Sequence, residues 1–373
     1  MPEQTDIRRA GERTTYDCVV VGAGVNGLAA ARAAARMGAR TALLEQFDLH
    51  HARGSSHGDS RSYRHYPAPE WMSLWREAEP LWRELEEETG SELLRPVGVL
   101  THGSDLRSER HALVSLGVPA TSVDADEVLR RFGIRVPSTG DTYFDPTAGF
   151  ILADRAREAL STSCRTHGVT IIEGATVTGL QRSSNSVAMP TAEHGTFTAG
   201  VAIVTAGAWA RALLAPVGIP LAVYVSRETV AYFEAPERAA LPVVIDYTSS
   251  DEETGVGIYA LPSPSLGLKV AAHHSGVRSD EILPSAEPDA RLVRRLSQWV
   301  GERFPQLAAV PKVTETCLYT VAPDEQLLLF RDGQIVVGAA CSGHAFKFAP
   351  ATGEHLARLA LDGAAATGAR TLA

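Results

Sequence analysis

At 373 residues, the chain is long enough for two domains or for one large domain with an inserted lobe. Hydrophobic residues make up 45%, which excludes a disordered chain, and a net charge of −9 argues against nucleic acid or an anionic membrane as the main partner. No apolar run reaches the roughly 18 residues that a spanning helix needs, so no membrane segment is expected.

Residues 1–15 are polar, lack the apolar centre of a signal peptide and read as a loose tail. "YDCVVVGAGVNGLAAARAAARMGARTALLEQFD" then reads as strand, tight turn, helix and strand. Residues 19–21 form a short buried strand, 29–37 an alanine-rich helix stopped by Gly38, and 41–45 a second strand. This is a βαβ unit at the start of the fold.

Gly22, Gly24 and Gly27 spell G-x-G-x-x-G directly after the strand. The first glycine allows the tight turn, the second lets a pyrophosphate approach the backbone, and the third lets helix and sheet pack closely. The helix N-terminus offers free N–H groups and partial positive charge to phosphate. Glu45, 18 residues past Gly27, stands where an acid accepts hydrogen bonds from a ribose. The motif alone does not separate NAD from FAD.

Residues 69–88 turn helical, with Trp71, Trp75 and Trp82 at spacings typical of a core. A mixed region runs to about 145, and a second helix-to-strand passage ends with Ile171 and Ile172. Residues 201–205 make a further buried strand, ending at Gly207. Between about 217 and 313 the pattern is strand-rich, with "LAVYVSRETVAYFEA" alternating at period two. "DGQIVVGAACSG" is a late strand, and "ATGEHLARLALDG" a final helix stopped by Gly363. The fold class is therefore α/β: a discontinuous Rossmann-like domain over 16–85, 146–215 and 318–373, with an inserted, mainly β substrate-binding domain over 86–145 and 216–317.

Cys18, Cys164, Cys317 and Cys341 are scattered without a CxxC or metal-ligand spacing. Reduced thiols in a cytoplasmic protein are expected, and no metal. Of 35 basic residues only Lys269, Lys312 and Lys347 are lysine, so each carries information. Lys312 follows a proline in an exposed-looking turn and is the bland one.

Three further segments, "GSSHGDSRSYRH", "TCLYTVAPDE" and "CSGHAFKFAP", join the glycine turn and the G-L-K of Lys269 in a fixed order. Together they resemble the monomeric sarcosine oxidase and N-methyltryptophan oxidase family of flavoproteins, from about Tyr16 to the final helix. The resemblance implies FAD, joined through Cys317 sulfur to the 8α methyl group. It places His57, Ser60 and Arg61 beside the flavin ring, Val177 near adenine, and Gly343 in the C-terminal turn. Arg64 and Lys347 would grip a substrate carboxylate, Lys269 would lie over the flavin and assist oxygen, and Tyr259 and His273 would line the pocket. A fixed cation near the ring favours anionic reduced flavin, and a buried one lowers the cost of making superoxide. Pro350, at the first helical position, would aim the following helix at this turn.

The activity implied is oxidation of a secondary amine bearing a carboxylate, an N-methyl or cyclic amino acid, with O2 reduced to hydrogen peroxide. A monomer is expected, with a small amino acid and O2 as its partners. The alternatives are a dehydrogenase with another acceptor and a non-catalytic FAD-binding subunit; Lys269 argues against the first, Arg64 and Lys347 against the second. After Arg64 the chain departs from the family's glycine-rich loop, so Tyr66, Trp71 and Trp75 become candidates for a larger or aromatic pocket.

Overall fold

The four residues of the strand Thr41–Leu44 are all buried, as befits a parallel strand covered on both faces. It pairs in parallel with Thr15–Val21, which pairs in parallel with Thr196–Val204, itself parallel to Ile335–Ala339. Thr170–Ile172 extends one side in parallel, and Leu328–Asp332 adds an antiparallel strand on the other. The structure, a computed structural model, describes residues 15–236, 241–248, 257–282, 287–362 and 370–371. The expected tail falls outside these except at Thr15, which opens the first strand, and Gly363 also lies outside.

Strand alternation divides the first sheet's side chains between two cores. Val20, Leu43, Ile203 and Val336 pack under the helices Val25–Arg36, Ala153–Thr166 and Ala349–Leu361. Val19, Leu44, Val204 and Val337 point the other way, onto Leu214, Ile219 and Leu221. This is the Rossmann-like half of an α/β fold.

The second large sheet is mainly antiparallel and centred on Tyr224–Phe233, which pairs with Gly267–Ala272 on one side and Pro311–Val321 on the other. Ile258–Ser263, Val243–Asp246 and Val99–Gly103 continue it. One face, carrying Ala231, Phe233, Leu268 and Val270, is covered by the helix Ala290–Arg303 through Leu292, Leu296 and Trp299. The sequence pattern did not announce this helix, whose signals are the Asp289 cap, accepting from the Arg291 and Leu292 N–H groups, and an i, i+4 pair at Leu292 and Leu296. The opposite face packs in part on Phe150 and Leu152 through Val243 and Leu261, and carries the site.

Lys312 lies on the strand Pro311–Val321 and not in a turn, although its side chain is exposed as expected. A small sheet of Ser60–Tyr63, Gly149–Leu152 and Leu94–Arg95 holds the "GDSRSYR" segment. The tryptophan helix spans Pro69–Thr89. Trp75 and Trp82 are core residues, Trp75 stacking on Tyr63 at 5.0 Å between centroids. Among the described residues, no helix is long and apolar enough to cross a membrane.

Candidate active site

The glycine turn is built by close approach. Gly22 has φ +99°, and a Cβ there would press on the Thr205 carbonyl. A Cβ on Gly27 would collide with the Gly22 carbonyl. Larger residues are therefore barred at both positions by backbone and not by movable side chains. Gly24 caps the helix without a side chain, and the Val25 N–H donates to Ser56 Oγ at 3.1 Å. Glu45 is buried and accepts from the Ala23 N–H at 2.7 Å and the Phe47 N–H at 3.1 Å. Its carboxylate thus braces the turn as well as facing the cleft.

Sheet register assembles the opposite wall. Lys269 stands across from Tyr232 and Leu261, Tyr259 across from Ala271, and Cys317 across from Glu228. Cross-strand partners share a face and alternate residues repeat it, so Tyr259, Lys269, Cys317 and Tyr319 all project toward the small sheet. Lys269 is 5% exposed and its Nζ donates to the Ser60 carbonyl at 3.3 Å. Burial and the Arg61 guanidinium lower its pKa to about 7, against the opposing pull of Cys317, Glu315 and Asp59. Burial raises the Cys317 thiol, while Arg61 and Lys269 work against that rise. Tyr259 is pushed up to about 12, first by burial and then by Cys317.

Arg61 holds its own loop, donating to the carbonyls of Ser60 and Ser55 at 2.8 Å and to that of His57. Burial, then Arg61, Lys269 and Arg157, lower His57 to about 3, so the ring is neutral. His57 Nδ1 and Ser60 Oγ are buried without a hydrogen-bond partner among the described residues.

Arg64 and Lys347, 283 positions apart, meet around Tyr66. Lys347 is 5% exposed; its Nζ donates to the Tyr66 hydroxyl at 3.3 Å and to the His344 carbonyl at 3.1 Å. The Arg64 guanidinium sits 4.5 Å from the centre of the Tyr66 ring and donates to the Tyr247 hydroxyl at 2.6 Å. Burial pushes the Tyr66 phenol up, but Lys347, His344 and Arg64 outweigh it and hold the group well below its ordinary range. Burial lowers Lys347, opposed by Tyr66 and assisted by Arg64. Among the described residues, no carboxylate forms an ion pair with either cation.

Two cavities, of about 310 and 400 Å³, follow one another along this surface. Gly22, Gly24, Glu45, His57 and Val177 line the first. Ser60, Arg61, Arg64, Tyr259, Lys269, His273, Cys317, Gly343 and Lys347 line the second. Val25, Asn26, Ser56, Thr320 and Cys341 border both, so the two form one cleft from the glycine turn to the paired cations. Gly27 serves helix packing. The helix after Lys347 begins at Ala349, which puts Pro350 at its second position and not its first. Tyr66 lines the second cavity, whereas Trp71 stacks on Phe348 at 5.3 Å and Trp75 on Tyr63.

Tyr247, Tyr319, His274 and His344 also line the second cavity, beyond the residues that the sequence points to. Tyr319 was findable, two residues past Cys317 on one strand face; Tyr247 follows a strand end in a segment without motif. A long cleft with one glycine-lined end, a helix start capped by glycine alone and orphaned polar atoms at Ser60 and His57 suits an elongated dinucleotide. The donor set fits FAD.

Comparison with known proteins agrees. Residues 17–359 match the model of the FAD dependent oxidoreductase family, DAO. Human peroxisomal sarcosine oxidase is 32% identical over 94% of this chain and 94% of its own length. Monomeric sarcosine oxidase of Bacillus sp. (strain NS-129) is 31% identical, again over 94% of each chain. An open-form structure of NikD, an unusual amino acid oxidase essential for nikkomycin biosynthesis, superposes with a TM-score of 0.84 at 28% identity, over 94% of this chain and 95% of that one. The glycine turn, the cleft and the match over nearly the whole sequence converge: this chain belongs to the FAD-dependent oxidoreductases, in their sarcosine-oxidase-like branch.

Proposed function

We propose that this protein is an FAD-dependent oxidase of a secondary amine carrying a carboxylate, an N-methyl or cyclic amino acid. One C–H and one N–H hydrogen leave as two electrons and two protons, giving the imine, and O2 takes them up as hydrogen peroxide. Bound FAD supplies the two-electron chemistry. The observation that carries the reading is the meeting of Arg64 and Lys347 in one cavity without a carboxylate on either among the described residues. A planar fork and a compact ammonium together suit a substrate carboxylate, and fixing that end orients the amine carbon toward the Cys317–Lys269 wall.

In the same reading, Cys317 Sγ would hold the cofactor through a thioether to its 8α carbon, the thiol S–H and one methyl C–H being lost and their two electrons passing to the flavin and on to O2. Lys269 supplies a buried cation beside the reacting region, where developing negative charge on oxygen is favoured. His57 stays neutral, and Arg61, anchored on three carbonyls, is a fixed positive charge. The names of the relatives, sarcosine oxidases and an amino acid oxidase, support the substrate class. We also propose a cytoplasmic monomer, the oligomeric part supported by the name of the Bacillus relative. The test is a panel of N-methyl and cyclic amino acids with their uncharged amine counterparts, scored for peroxide. Peroxide from at least one carboxylate substrate is expected; none from any member, with air-stable reduced flavin, overturns the oxidase assignment.

A further inference from the structure

Three imidazoles converge beside the Tyr66 hydroxyl. His273 and His274, just past the strand Gly267–Ala272, and His344, in the turn before Lys347, each offer a ring nitrogen within 4.8 Å of the other two. The ring centres of His273 and His274 lie 4.0 Å apart, and those of His273 and His344 lie 5.0 Å apart. Glu325 arrives from a third segment, with one oxygen 3.8 Å from His274 Nε2 and the other 3.8 Å from His344 Nε2. All four residues line the larger cavity.

Packing alone does not account for this cluster. His274 is only 7% exposed, and its Nε2, like that of His273, is buried without a hydrogen-bond partner. Buried polar atoms are rarely left unpaired without a reason. The backbone is also held in an unusual state here. Among the described residues, the non-glycine residues with left-handed φ are His274 (54°), Glu325 (58°), Ala340 (55°) and Ser342 (45°). Two of them carry donors of the cluster, and Ser342 lies two residues before the third histidine. Such conformations persist where the surroundings over-determine them, and they gather at functional sites.

We infer that His273, His274 and His344, completed by Glu325, form a site for a divalent transition-metal ion of the zinc class, and that its occupancy blocks the substrate cavity. Three imidazoles and one carboxylate are a donor set that zinc accepts. Zn–N bonds of about 2.0–2.1 Å put tetrahedral ligand atoms roughly 3.3 Å apart, so the rings must draw together from their present spacing. With Glu325 facing Nε2 of both His274 and His344, the Nδ1 of His344 keeps the Tyr66 hydroxyl, at 3.2 Å, as an outer partner, and the ion ties residues 273–274 to the turn that carries Lys347. Arg64 and Lys347 oppose an added cation by Coulomb repulsion, which Glu325 offsets in part. Affinity below that of a closed structural zinc site follows. The metal site rests on this geometry alone, whereas its blocking role rests on the oxidase reading proposed above.

The test is calorimetric titration of the flavin-loaded enzyme with zinc chloride in a non-chelating buffer, beside His274→Gln and Glu325→Gln. One zinc per chain is expected in the wild type, weakened by about tenfold or more in His274→Gln and by a smaller factor in Glu325→Gln. Zinc should raise the melting temperature of the wild type more than that of either variant, a readout separate from turnover. Inhibition of peroxide formation should track the wild-type binding curve. Absence of wild-type binding at submillimolar zinc, or equal affinity in all three proteins, overturns the site; binding without inhibition overturns the blocking role.

Discussion

The Trp82 indole N–H donates to the Lys347 carbonyl at 2.7 Å, both residues being buried. A helix from the first quarter of the chain thereby fixes the turn that presents the second cation. Replacing Trp82 with Phe keeps a ring but leaves that carbonyl unpaired, at a cost of about 1–3 kcal/mol. Urea unfolding should show this loss, and KM for a carboxylate substrate should rise more than kcat falls. An unchanged KM would assign Trp82 to packing alone.

Arg64→Ala and Lys347→Ala each remove a charged donor from the cavity. Loss of a charge-assisted hydrogen bond is worth about 1.5–3 kcal/mol, so kcat/KM for carboxylate substrates should fall roughly 10- to 150-fold. Uncharged amines of the same shape should lose far less. Steady-state peroxide assays on matched pairs decide it, and equal losses for both classes count against the anchor.

Cys317→Ala should release flavin on denaturation, whereas denatured wild type should keep its yellow colour through precipitation and washing. Flavin that washes out of the wild type excludes the thioether.

Lys269 carries its charge below a pKa of about 7 and loses it above. The rate of reoxidation by O2 should therefore decline as pH rises through that value. Lys269→Met should flatten the profile and slow reoxidation by about 10²–10³ at low pH, the usual effect of removing a preorganised charge or donor. Stopped-flow mixing of reduced enzyme with aerated buffer measures both.

His57 titrates near 3 in the fold, held there by burial and by Arg61, Lys269 and Arg157, against 6.5 as an ordinary imidazole. Between those values the unfolded chain binds a proton that the folded one does not. The stability that this group contributes is present above about 6.5 and is lost as pH falls toward 3. His57→Asn should lessen the acid sensitivity of unfolding by up to one proton; identical pH profiles would count against it.

The parts legible in the sequence were those where spacing dictates geometry. The G-x-G-x-x-G turn, Glu45 and the tryptophan helix follow from local rules, and Pro69–Thr89 was placed to within a residue. The convergence of Arg64, Lys269, Cys317 and Lys347 came through resemblance, because no local pattern reports which strands of a sheet share a face. Tyr247 and His274 stayed hidden for that reason: one follows a strand end, and the other takes a left-handed φ that nothing in "AAHHSG" announces. The helix Ala290–Arg303 was obscured by its arginines, which surround a narrow apolar stripe. The proline before Lys312 suggests a turn, yet proline is tolerated at the first residue of a strand.

The border shared by the two cavities, through Val25, Asn26, Ser56, Thr320 and Cys341, sets an order of assembly. An amine entering before the dinucleotide finds a chamber that runs on into the phosphate end, with no partition to rest against. Sequential loading is the expected consequence, the long ligand first and then the small one on the floor it provides. Apoprotein should bind the amino acid more weakly than the flavin-loaded form, its pair of cations notwithstanding.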